Sequence, residues 1–147
     1  MTLVVQVAAE AGRLPLSRER VADIARRVLR AEGVRHALLS IAFVSPNDIA
    51  RLNREHLGHR GATDVISFQL TRRRTEPVIG DIYIAPEVAR VNARLHGAGI
   101  REELARLVVH GTLHVVGHDH PPGERRTKSS MWRRQETLLR SALRATA

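Results

Sequence analysis

Four of the chain's eight histidines stand within eleven residues, His110-Gly111-Thr112-Leu113-His114-Val115-Val116-Gly117-His118-Asp119-His120. His110 and His114 are four apart, so on a helix they share one face with Cβ atoms about 5–6 Å apart. Two imidazoles at that separation can close on one Zn²⁺ at bonds of about 2.0–2.1 Å. Gly117 lets the chain leave the helix, after which His118 or His120 can bring a third nitrogen. Spacing favours His120 without deciding the matter. Three protein ligands leave a coordination position for water, the arrangement of a catalytic zinc rather than a structural one. The chain has no cysteine, so thiolate sites are excluded and any metal must use imidazole or carboxylate.

The segment that carries these histidines reads as a helix over 101–116. Leu104, Ala105, Leu107, Val108, Val109, Leu113, Val115 and Val116 surround nearly its whole circumference, and a helix apolar on almost every side is a buried one. Arg106, His110 and His114 form a polar row at four-residue intervals on it. Such a row must face a cleft, a partner group or a metal, since an unpaired buried polar group costs about 1–3 kcal/mol. Gly111 costs about 1 kcal/mol relative to alanine inside a helix, which implies that something occupies the space beside His110.

The rest of the chain supplies the scaffold. Strands are expected over 3–9, 37–44, 63–68 and 78–84, from short apolar or β-branched runs. Ser17 can cap a helix over 18–31 that Gly33 ends, and Ser45-Pro46 opens another through Arg54, followed by a loop over 56–62. Pro86 starts a helix to Leu95, and a last helix is expected over 124–144, with Arg125, Arg126, Arg133 and Arg134 on its outer face. This mixed order predicts one domain over 1–147, an α+β fold with a mixed sheet of about four strands packed with helices and the metal site on a central buried helix.

Composition narrows the partners. The chain carries 24 basic and 15 acidic residues, a net charge of +9, with Lys128 the lone lysine. That balance favours a polyanion such as RNA or a ribosomal surface. With four aromatics (Phe43, Phe68, Tyr83, Trp132), a base-stacking platform is not expected. No stretch approaches the ~20 apolar residues that span a bilayer, and Met1–Val7 lacks a signal peptide's basic start, so a soluble cytoplasmic protein without a membrane partner is expected.

The eleven-residue motif resembles the central motif of the YbeY family of bacterial metal-dependent endoribonucleases, His-Gly-x-Leu-His-Leu-x-Gly-Tyr-Asp-His. Leu52-Asn53 with Thr63-Asp64-Val65-Ile66-Ser67-Phe68, then Gly80-Asp81-Ile82, and Met131 and Glu136 resemble further family blocks. The resemblance implies one zinc per chain held by His110, His114 and His120. It also implies single-strand RNA cleavage in ribosomal RNA maturation at the 3′ end of the small-subunit RNA, a part in ribosome quality control, and the ribosome or its small subunit as partner. On this reading a zinc-bound water attacks the phosphodiester, and Asp119 orients a ligand imidazole or takes a proton, its alternative being a turn residue before Pro121-Pro122. Arg72, Arg73 and Arg74 are candidates for phosphate contacts, their alternative being a solvated charged loop. Three positions depart from the family: Leu57 where a basic residue linked to nuclease activity is usual, Gln69 for a proline, and His118 for a tyrosine. Arg54 and Arg60 are the candidates to fill the vacant basic place. The rival readings are a non-catalytic ribosome-assembly factor with a structural zinc and, less favoured, a zinc peptidase. Metzincin peptidases share the histidine spacing but need a glutamate where Gly111 stands.

Overall fold

A computed structural model describes residues 1–10, 12–120 and 129–145. The elements in chain order are β1 (Thr2–Ala9), α1 (Arg18–Ala31), β2 (His36–Phe43), α2 (Pro46–Leu57), β3 (Val65–Gln69), β4 (Val78–Ile84), α3 (Pro86–Leu95), α4 (Ile100–Val116) and α5 (Ser130–Arg144). The strands form one sheet in the order β1-β2-β4-β3. β1 pairs with β2 and β2 with β4 in parallel, whereas β3 runs antiparallel to β4. The architecture is α+β with a four-stranded mixed sheet, as the order of strands and helices predicts.

Local signals explain most boundaries. The Ser17 hydroxyl accepts from the Arg20 amide at 3.1 Å and Ser45 does the same for Asp48, so each satisfies an otherwise orphaned helix-start donor. α2 runs three residues beyond Arg54 to Leu57, where Gly58 takes a left-handed φ of 68° and returns its N–H to the Asn53 carbonyl. A glycine adopts that conformation without a Cβ penalty. At the other end of the chain, Ser129 lies outside the last helix, in extended backbone, and its hydroxyl accepts from the Trp132 amide. The helix therefore starts at Ser130; residues 124–128 of the expected span, with Arg125 and Arg126, lie outside the described residues.

The main core lies between one sheet face and α1, α4 and α5. Ile24, Leu29, Leu39, Ile41, Phe43, Ile82, Leu104, Leu113 and Leu139 are all buried there. A smaller cluster of Val44, Ile49, Ile66 and Ala85 lies under α2. α4 packs against α1, α3, α5 and the β3–β4 pair, which is the position its all-round apolarity predicts. The space left by Gly111 belongs to the sheet. A Cβ there would lie 2.8 Å from Ile82 Cγ2, so the glycine lets α4 approach β4 closely.

Candidate metal centre

α4 places His110 and His114 on one face, as their spacing dictates, and Gly117 then turns the chain so that His120 comes back over them. Gly117 has φ 120°, and a Cβ on it would meet Arg73 Cγ at 2.6 Å, so both its conformation and its surroundings call for glycine. Ring centroids are 4.7 Å apart for His110 and His114, 5.2 Å for His110 and His120, and 5.0 Å for His114 and His120. One nitrogen from each lies within 4.8 Å of the other two, a geometry that could hold a metal ion. His118, the other candidate for the third position, points elsewhere: its Nε2 pairs with Glu32 at the end of α1.

Three neighbours prepare these imidazoles. His110 Nδ1 is 2.6 Å from Gln135 Oε1. The Gln135 amide is oriented in turn, because its Nε2 donates to Glu136 Oε2 at 3.1 Å. Its oxygen therefore faces the ring and can only accept, so Nδ1 carries the proton and the Nε2 lone pair is left for a cation. Arg106 completes the chain, donating to both Glu136 oxygens at 3.0 and 3.2 Å and to Glu103 at 2.8 Å. Burial works against that guanidinium's charge, but the bonds and charge of Glu136 and Glu103 outweigh it and raise its pKa. Burial, followed by the nearby His120, holds the His114 imidazole below its ordinary value, which favours the neutral form a metal requires. Three imidazole nitrogens, one of them with its tautomer set by Gln135, suit zinc and similar borderline cations.

The other expected site residues fall at different places. Asp119 Oδ1 accepts from the His120 amide at 2.8 Å, so it shapes the turn that carries His120, and its charge also reaches His114. Arg73 lies against Gly117, and with Arg74 it lines a cavity shared with Glu32, Glu76 and His118. Arg72, like both of these, is exposed. Arg54 and Arg60 are exposed on the last turn of α2 and the loop beyond it, and neither lines the cavity beside His110. Leu57 is also exposed, at 46%.

The sequence reading omitted Gln135, although the signal was present. Met131, Gln135, Leu139 and Ala142 form the buried stripe of α5, and a glutamine on such a stripe needs a partner.

Comparison with known proteins finds relatives in both sequence and fold. The family model described as Endoribonuclease YbeY matches residues 6–142. A curated Endoribonuclease YbeY of Carboxydothermus hydrogenoformans is 40% identical over 115 residues, covering 78% of each chain. That of Bacillus licheniformis is 34% identical over 95% of this chain and 94% of its own. A solution structure of a Thermotoga maritima protein superposes with a TM-score of 0.66 at 23% identity, covering 95% of this chain and 89% of that one, a likeness of fold.

Proposed function

Because the chain belongs to the YbeY endoribonuclease family, we propose that it is a zinc-dependent endoribonuclease that cleaves single-stranded ribosomal RNA precursors during maturation of the small-subunit 3′ end. The observation that carries the metal-dependent reading is the convergence of His110, His114 and His120 nitrogens within 4.8 Å, one of them with its tautomer set by Gln135. In this reading those three residues hold the ion. Zinc, when bound, supplies a Lewis acid for a phosphodiester and lowers the pKa of its water to about 7.

The chain's own residues do the rest. Gln135 keeps the proton of His110 on Nδ1, while burial shifts His114 toward its neutral form. Asp119, beside the triad and fixed by the His120 amide, is the proposed proton acceptor. Arg73, seated over Gly117, and its neighbours Arg72 and Arg74 are the proposed phosphate contacts, with Arg54 and Arg60 farther along the RNA path. The excess of positive charge suits a polyanionic substrate on the ribosome, and a cytoplasmic location follows from that substrate. A role in ribosome quality control is part of the same proposal.

One observation favours a second reading, an assembly factor whose zinc only staples the fold: the exposed apolar Leu57 offers no charge to RNA. A peptidase has no such support, since Gly111 is packed against Ile82 and provides no carboxylate. Purified protein is incubated with structured RNA and with casein, with zinc or with chelator. Zinc-dependent cutting of RNA alone is expected. Intact RNA together with tight binding to ribosome precursors would instead establish the assembly factor.

A further inference from the structure

Beside the triad lies a cavity of about 560 Å³ between β3, α3, α4 and α5, whose lining includes Asp64, Asn92, Arg106, His110 and Trp132. Its charge runs against that of the molecule. Arg106, the one guanidinium among its described lining residues, is engaged by Glu136, Glu103 and, at 3.7 Å, Glu102. Asp64 adds a further carboxylate to the lining. In a chain of net charge +9, this pocket suits a neutral group rich in hydrogen-bond donors better than it suits a phosphate.

Asp64 is built to meet such a group. Its carbonyl accepts from the Ala85 amide at 2.9 Å, which fixes the backbone, and its Oδ2 accepts from Asn92 Nδ2 at 3.3 Å, which orients the carboxylate. A carboxylate oxygen carries two lone pairs, so both oxygens keep accepting capacity. Guanine presents two parallel donors, N1–H and the N2 amino group. Adenine and cytosine place a ring-nitrogen acceptor beside their single amino donor, and uracil flanks its N–H with two carbonyls; each would set an acceptor against the carboxylate. Trp132 also lines the cavity, and base–aromatic stacking tolerates any base and so adds affinity without choosing.

We propose that this cavity is a nucleobase subsite that selects guanine at the nucleotide flanking the cleaved phosphodiester, with Asp64 reading the base edge. The inference rests on the RNA-cleaving reading of the adjoining centre. Trp132 is the chain's single tryptophan, so its fluorescence reports on the cavity. The full-length protein is titrated with guanosine, inosine (which lacks the N2 amino group), cytidine and inorganic phosphate. Guanosine is expected to bind at least about tenfold more tightly than inosine or cytidine, within the range a bidentate edge contact supplies. In Asp64→Asn that ratio should fall to about two or less, with thermal melting unchanged.

Equal responses to the three nucleosides, displacement of guanosine by phosphate, or a preference that survives Asp64→Asn would each overturn the proposal. The guanosine–inosine contrast on the unaltered protein decides the matter even if the variant does not fold. Guanosine preference without RNA cleavage would sink the nuclease reading alone. Cleavage without guanosine preference would sink only the subsite.

Discussion

At the scale of single residues, the centre depends on which ring nitrogen holds a proton. His114→Ala removes one of the three proposed donors, so elemental analysis of the purified variant should find no stoichiometric metal; a full equivalent retained would contradict the ligand assignment. Gln135→Leu keeps all three imidazoles but frees the His110 tautomer. Partners of this kind are worth about 10–100-fold in metal affinity, and competition with a chromophoric chelator should find a loss in that range. A separate residue, Glu76, contributes to acid stability. Glu76 accepts from the His36 and Arg35 amides, and these bonds hold its carboxyl below the ordinary value of 4.5. A folded pKa below the unfolded one means that the stabilisation is present above 4.5 and is lost as pH falls through the folded value. Glu76→Gln should therefore be less stable than the parent at neutral pH, with the gap between their melting temperatures closing in acid. A gap that persists undiminished at pH 2 would show that the carboxylate charge is not its source.

At the scale of elements, α4 was the most legible part of the chain, because apolarity on every side, a polar row and a closing glycine all act within one helix. The extents of α1, β4 and α3 were likewise readable from caps, prolines and short apolar runs. The space beside His110 was legible as a need and its occupant was not, since Ile82 arrives from a strand nearly thirty residues earlier in sequence. Gln135 shows the same limit: its burial is written in the α5 stripe, but its partner is fixed only when two helices dock. The sheet order could not be read either, because it depends on β3 folding back antiparallel onto β4 while β2 takes β4's other edge. Gly111→Ala tests the α4–β4 contact. Alanine gains about 1 kcal/mol of helix propensity, but a Cβ at 2.8 Å from Ile82 Cγ2 makes an overpacked contact costing about 1–3 kcal/mol. Denaturant unfolding should show net destabilisation, reversed to a gain when Ile82→Ala is also present. Destabilisation unaltered in that background would place the strain elsewhere.

For the molecule as a whole, the proposed reading assigns the backbone of an RNA ligand to the arginine-rich surface and a base to the carboxylate-lined cavity. Backbone binding should show in salt dependence, at about 0.7 of logarithmic slope per neutralised phosphate on a single strand. Changing Arg72, Arg73 and Arg74 to glutamine should reduce the slope by up to about 2 if each meets a phosphate. An unchanged slope would make that segment solvated surface.

The amide that sets the His110 tautomer comes from α5, the last helix of the chain. During synthesis, then, the three histidines leave the translating ribosome before the residue that orients one of them. A chain lacking α5 would keep the imidazoles without the amide that fixes the His110 tautomer, so the finished form of the proposed metal site waits on the docking of that helix.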